Sequence, residues 1–377
     1  VAIAKNFIAL VGENRDSTRI EYCLPRKAWN AAHGTNTGCG VINIATNDSC
    51  IVIGNMTIVN SYDSTSEDYT EVIRSETGST KIWVVNCNVW CKQKDTFALW
   101  GKANGRYYAS NCSFKGSIDA VCPRGWCYIL HSEFIETKYS SPIWHEGVSG
   151  LDQKFVIRYG NVRSELSSGI KLENSQDYAQ FYYLDCTFSD SIKSQGASSP
   201  TYYWNCHRKG TTGDASWFAD NLSSASGSPR HTDITACWVF NNVWDPENEM
   251  PEVLPSASLP QPFHKAYDVP LSLELKWTGA LHALSYNVYF GTTSTPQFIG
   301  NQTANSLQIQ NLQKGTTYYW RVDVVTDEKT IQGETWQFST VTTTDVEECE
   351  RSKQVLTPEL RNYPNPFNPS TTLQFKV

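Results

Sequence analysis

Charge is scarce in this chain. Only 18% of its 377 residues are Asp, Glu, Lys or Arg, and no block of basic residues occurs. With a formal net charge of −7, it carries no electrostatic footprint for a nucleic-acid partner. No run of 18 or more apolar residues exists, so no stretch is long enough to span a bilayer as a helix. Amphipathic helical periodicity is missing too, which leaves strands as the main element. The chain opens at Val1 on strand-like sequence, with neither an initiator Met nor a signal-peptide pattern, and is expected to be a processed or cut form. The histidines, His145 and His207 among them, show no metal-ligand spacing with cysteine; they read as structural, and no metal or cofactor is implied.

Aromatic residues and cysteines are plentiful: 13 Trp, 19 Tyr and 12 Cys. Many aromatics with few charges suit an extracellular protein that stacks on sugars, but the core of a β-rich protein is the plainer and favoured reading. The cysteines follow a recurring phrase rather than a disulfide framework. Cys87, Cys112, Cys186 and Cys206 each follow Asn or Asp, in NCNVW, NCSFK, DCTFS and NCHRK. Ser132 and Gly160 fill the same slot in HSEFI and YGNVR. The phrases begin at 86, 111, 131, 159, 185 and 205, in steps of 20 to 28 residues. Self-similarity at that period marks a solenoid, and one small residue per repeat predicts an inward ladder of free thiols. Cys122 and Cys127 differ, flanking the turn-like Pro123-Arg124-Gly125, where they can bridge locally.

In chain order, apolar and polar residues alternate over 1–22, and 23–40 is loop-like, with Pro25, Gly34, Gly38 and Gly40. Strand-like runs follow at 41–45, 51–59, 81–90, 97–100, 106–114, 126–135, 154–162, 180–188 and 201–206. Short strands at this period predict an all-β fold, a right-handed parallel β-helix over 1–243. Residues 244–265 hold five prolines and read as a linker. Residues 266–340 show sandwich spacing and are expected to fold alone as a small β-sandwich. Their phrase Gly315–Asp323, with Trp277 and Trp336, resembles fibronectin type III domains. Residues 341–377 begin as an acidic, Thr-rich connector. They end in Tyr363-Pro364-Asn365-Pro366-Phe367-Asn368-Pro369-Ser370-Thr371, which resembles the start of a bacterial type IX secretion sorting domain, here reduced to one strand.

The candidate chemistry lies between Gln93 and Cys127. Asp95 and Asp119 stand 24 residues apart, one repeat of the solenoid. On neighbouring rungs ~4.8 Å apart, two carboxyl groups cannot both ionise freely, so one stays protonated beside an anionic partner. The plain alternative is two loop aspartates that cap turns and never meet.

The order QKDTF, GRYYASNCSF, GSIDAVCPRGW, with Asn55-Met56-Thr57-Ile58 and GENRDST upstream and IKSQGA and TYYWNCHRKG downstream, resembles the pectin methylesterase family over roughly residues 1–225. The resemblance implies hydrolysis of pectin methyl esters, with Asp119 as nucleophile and Asp95 as general acid and base. It places the oxyanion-stabilising glutamines near Gln93, Lys94 and Glu71, with Lys94 directly before Asp95 where the family has Gln. It also aligns the family's arginine with Asn174, in Leu172-Glu173-Asn174; losing that cation raises the aspartate pKa, and Arg124 and Lys171 are the substitutes at hand. Trp100, Tyr108, Arg124, Trp126 and Trp144 are candidates for substrate binding, with core packing the other reading of the aromatics. The implied partners are a pectin polysaccharide and, through the tail, the secretion machinery of a bacterium, making the protein secreted or cell-surface. Three other classes compete. A glycoside hydrolase on this fold would carry Asn-Thr-Asp, Gly-Asp-Asp and Gly-His-Gly phrases, which are absent. A pectate lyase would carry Ca²⁺-ligand clusters, and the third class is a binding-only descendant without turnover.

Overall fold

The computed structural model describes residues 1–342 other than 65–67, 168, 211, 226 and 228, together with the backbone of strands Glu359–Tyr363 and Thr372–Lys376. Apolar runs that read as single strands are each bent into two. The run 51–59 is Ser49–Gly54 and Thr57–Asn60, 81–90 is Thr80–Val85 and Asn88–Trp90, and 106–114 is Arg106–Ser110 and Ser113–Gly116. The corner falls on the first residue of the recurring phrase, which is left-handed every time: Asn86 (φ 54°), Asn111 (φ 55°), His131 (φ 48°), Tyr159 (φ 53°), Asp185 (φ 55°) and Asn205 (φ 49°). Asn and Asp adopt this conformation at little cost. Their side chains also pair along the stack: the Asn111 amide donates to Asn86 Oδ1 at 3.1 Å, and that of Asn205 to Asp185 Oδ1 at 2.8 Å. His131 and Tyr159, which cannot continue the amide ladder, stack face to face at 4.7 Å instead.

The residue after each corner turns inward, so Cys87, Cys112, Ser132, Gly160, Cys186 and Cys206 are buried. Thiols of Cys112, Cys186 and Cys206 donate to the carbonyls of Val84, Ile157 and Tyr183 on neighbouring rungs, each at 3.3 Å. Every described cysteine is a free thiol. Cys122 and Cys127 therefore form no local bridge: Cys127 sits in the interior core, whereas Cys122 faces an external groove.

The bent repeats stack into three parallel walls. Two are eight-stranded, one running from Ala9–Val11 to Thr201–Trp204 and the other from Arg19–Tyr22 to His207–Lys209. The third is shorter and includes Ile42–Ile44, Ile73–Ser75, Phe97–Leu99, Ile143–His145 and Glu173–Ser175. Their inner faces close on one apolar core, in which Phe97, Phe114 and Phe134 pack in sequence at 4.9 and 5.7 Å. This is a parallel β-helix.

Two readings change. Residues 23–40 are not all loop: Arg26–His33 is an α-helix of 8 residues, closed by Gly34 in the left-handed region (φ 68°). It buries no residue and spans only about two turns between Pro25 and Gly34, which made the stretch read as loop. The proline-rich stretch 244–265 is not a free linker. Trp244, Met250, Leu254 and Leu259 pack, with Ile234, Val239 and Phe240, onto the outer face of the first wall. Trp83 meets Trp244 edge-on at 4.7 Å and donates its indole N–H to Pro246 O at 2.9 Å. Prolines end strands without preventing burial, and the apolar residues between them cover a face that would otherwise meet water.

A small β-sandwich follows. One sheet holds Ser258–Gln261, Leu273–Thr278 and Ser306–Ile309. The other is built on Ala266–Val269, Thr335–Thr340, Thr317–Val325, Ser285–Gly291 and Gln297–Gln302. Its first strand thus lies inside the stretch read as linker. Trp277, Trp320 and Trp336 fill its core. The sandwich is tied to the β-helix by Tyr267, whose hydroxyl donates to Asp185 Oδ1 at 3.0 Å. At the C-terminal end, Glu359–Tyr363 and Thr372–Lys376 pair antiparallel, where one strand was expected. The intervening Pro364–Thr371 of the sorting phrase lies outside the described residues.

Burial of Trp244 makes a direct forecast. Trp244→Ala should destabilise the protein by about 3–5 kcal/mol in denaturant unfolding, the usual cost of emptying a buried Trp site. An unchanged unfolding midpoint would restore the linker reading.

Candidate functional site

The site grows from register on the third wall. Ile73 pairs with Phe97, Phe97 with Val121 and Val121 with Ile143, so two successive steps are 24 residues and the next is 22. The residue two places before each of these lies in one row across the rungs: Glu71, Asp95, Asp119 and Ser141. Asp95 (φ 61°) and Asp119 (φ 57°) both occupy left-handed turns, a conformation Asp tolerates better than most side chains. The Asp119 N–H donates to Ser141 O at 2.9 Å, which locks that turn to the following rung. Both aspartates open into one groove, together with Arg26, Tyr69, Trp100 and Trp144.

The two carboxyl groups differ electrically. Burial, and then the negative charges of Glu71 and Asp119, push Asp95 up to about 8, against the pull of Arg26 and Arg124. Asp119 is raised by burial only to about 6, because the Lys94 ammonium favours its anion. As a coupled pair near neutral pH, the site holds one proton, on Asp95, and one negative charge, on Asp119. One oxygen of Asp119 is buried without a hydrogen-bond partner.

Cations and aromatic rings alternate around the pair. Arg26 lies 3.4 Å over the Tyr69 ring and binds Glu71 at 3.0 Å, and Arg74 binds the same carboxylate oxygen at 3.1 Å. Trp100 is flanked by Arg74 at 4.5 Å and Arg124 at 4.6 Å, and Arg124 also reaches the Trp144 ring at 5.4 Å. Glu146 anchors Arg124 at 3.0 Å.

Several sequence candidates are therefore together here: Asp95, Asp119, Trp100, Arg124 and Trp144, with Lys94 alongside. Others are elsewhere. Gln93 is fully buried and its amide is spent, donating to Ser64 O at 2.9 Å and accepting from Lys138 Nζ at 2.9 Å. Glu71 is a carboxylate held by two arginines, so it accepts hydrogen bonds and cannot serve as an oxyanion donor. Tyr108 and Trp126 belong to the first wall, under the 222–263 stretch; Tyr108 bonds Glu247 at 3.2 Å, and Trp126 donates to Asp152 O at 2.8 Å. Asn174 pairs with Trp144 on the next rung and is exposed. Lys171 pairs in a separate two-stranded sheet with Ser194, away from the groove.

Arg26, Tyr69 and Arg74 went unnoticed in the sequence, and Cys122 was read only as a candidate for a local bridge. Arg26 rides on the short helix, in a stretch with no strand pattern, and its N–H is fixed by Tyr69 O at 2.8 Å. Glu71 was detectable as a row member, since it precedes Asp95 by the same 24 residues that separate Asp95 from Asp119.

Solved structures share this fold. The chain aligns with a pectin methylesterase in complex with hexasaccharide VII at a TM-score of 0.53 and 14% identity, over 65% of this chain and 85% of that one. It aligns with the pectin methylesterase from Yersinia enterocolitica at a TM-score of 0.52 and 15% identity, over 64% and 90%. No protein-family model and no curated protein sequence matches it. At this identity the likeness is one of fold.

The electrostatic account is open to direct measurement. Lys94→Gln removes the cation that favours the Asp119 anion, so the Asp119 carboxyl midpoint should rise above about 6 in a ¹³C NMR titration. A midpoint that stays put would mean that Lys94 does not act on Asp119.

Proposed function

We propose that this is a secreted pectinesterase-like protein that hydrolyses methyl esters of a pectin polysaccharide. The observation that supports this best is the row itself: an undissociated Asp95 and an ionised Asp119, on adjacent rungs, open into one groove. In this reading the Asp119 carboxylate attacks the ester carbonyl carbon. Asp95 gives its proton to the departing methoxy oxygen, so methanol leaves and an acyl-aspartate anhydride remains. Asp95, now anionic, takes a proton from water, and the hydroxide attacks the acyl carbon, freeing the acid and regenerating Asp119. In the same reading the Lys94 ammonium donates to the oxyanion. Trp100 and Trp144 offer faces for sugar rings, and Arg26 and Arg124 suit a polymer bearing carboxylates.

Arg26 and Arg124 act on Asp95, whose pKa they lower, and so leave the missing family arginine's task at Asp119 to Lys94. A binding-only reading keeps one specific support: the aligned position is the uncharged, exposed Asn174, one rung beyond Trp144. Secretion and delivery to a bacterial surface belong to the same proposal and rest on the tail phrase Tyr363–Thr371.

Methanol release from methylated pectin separates the readings. Asp119→Asn should abolish it, because an amide is no nucleophile, and Asp95→Asn should slow it ~100-fold or more, the usual scale for losing general acid–base help. Asn174→Arg should raise it. Wild-type protein that binds pectin, releases no methanol and gains nothing from Asn174→Arg would leave the binding-only reading standing.

A further inference from the structure

Three buried polar atoms on the adjoining rungs around Asp119 have no partner: Asp119 Oδ1, Ser117 Oγ and Glu136 Oε2. Ser117 and Glu136 are both fully buried. The backbone brings them together. Glu136 pairs with Gly116, the residue before Ser117; Thr137 N–H donates to Gly116 O at 2.8 Å; and Ser117 N–H donates to Gln93 O at 2.8 Å, two residues ahead of Asp119. The other carboxyl oxygen of Glu136 accepts the Lys138 N–H at 2.8 Å, while the Lys138 ammonium is turned to Gln93. The Lys138 charge favours a Glu136 anion from a distance, but its hydrogen bond goes to Gln93 and not to the free oxygen of Glu136.

A buried polar atom without a partner costs about 1–3 kcal/mol, and three on adjoining rungs rarely persist. Their donor and acceptor capacities match. An undissociated carboxyl has one O–H to give, a serine hydroxyl accepts one hydrogen and donates one, and an ionised carboxylate only accepts. We propose that Glu136, as an undissociated acid, donates to Ser117 and Ser117 donates to Asp119, each across a bridging water, so that the pair are positioning residues for the nucleophile. This deepens the reading of Asp119 as nucleophile and rests on it. The chain supplies from inside the β-helix what a cation would supply from the groove: a fixed rotamer and a donor that favours the Asp119 anion. Burial and the Asp119 charge, which hold Glu136 up to about 8, are consistent with it. No proton changes owner during the reaction; Glu136 keeps its own.

Two readouts test this, one independent of activity. In ¹³C NMR titration, Glu136→Leu and Ser117→Ala should each raise the Asp119 midpoint by about one to two pH units, the value of a hydrogen bond to a charged group. Glu136→Gln, whose amide can replace the O–H donor while its oxygen still takes the Lys138 N–H, should leave the midpoint nearly where it is in the wild type. In methanol release, Glu136→Leu and Ser117→Ala should lower kcat about 10-fold or more with KM little changed, and Glu136→Gln should retain most of kcat. An Asp119 midpoint unmoved in Ser117→Ala, whose small change keeps it folded even if Glu136→Leu does not, overturns the proposal. If the wild type releases no methanol, the esterase reading falls while the titration still decides whether the chain of hydrogen bonds exists.

Discussion

In-register parallel pairing of one rung with the next is what the candidate site depends on. A side chain at one position meets its counterpart on the next coil at a spacing set by the backbone ladder, ~4.8 Å, whatever the side chains prefer. Where two coils of equal length adjoin, as between Ile73, Phe97 and Val121, the acids before them are forced into a row. That row would be repulsive in water. Here it is tolerated because burial keeps Asp95 protonated and because Arg26 and Arg74 hold Glu71. Burial, with the negative charges of Glu71 and Asp119 beside it, lifts Asp95 above Asp119 in proton affinity, and that split is the property that acid–base chemistry at neutral pH needs.

Cations around the row come from three separate elements: Arg26 from the short helix, Arg74 from the third wall and Arg124 from the loop after Val121. Each guanidinium also lies on an aromatic ring. Rings and guanidinium planes limit each other's rotamers, so the groove keeps its shape with few direct hydrogen bonds to the aspartates. This differs from a single arginine clamped onto the nucleophile. It spreads positive charge along the groove and leaves one Asp119 oxygen to be met from the interior.

Much of this was legible in the sequence, and the failures have physical causes. The phrase beginning Asn86, Asn111, Asp185 and Asn205 exposes the period because the same corner demands the same left-handed residue on each coil. The fold follows from it, as does the adjacency of Asp95 and Asp119. Sequence proximity misled for Tyr108 and Trp126, which sit close to Asp119 along the chain; the coil turns at Gly101–Gly105 before Tyr108 and at Pro123–Gly125 before Trp126, and each turn leads to another wall. Prolines disguised Trp244, Leu254 and Leu259 as linker, since composition reports backbone restriction and not what the side chains cover. Arg26–His33 was hidden because its two turns lie between Pro25 and the glycines at 34, 38 and 40, punctuation that reads as loop.

The central claim is that one carboxyl of the pair acts as acid while the other acts as anion, and the pH dependence of kcat/KM for methanol release from methylated pectin tests it most directly. The proton count requires a bell whose limbs belong to the pair. Activity should rise through about 6 as Asp119 ionises and fall through about 8 as Asp95 loses its proton, with a maximum near 7. A profile that is flat from about pH 5 to 9, or one with a single limb, would contradict the assignment of acid and nucleophile to these two residues.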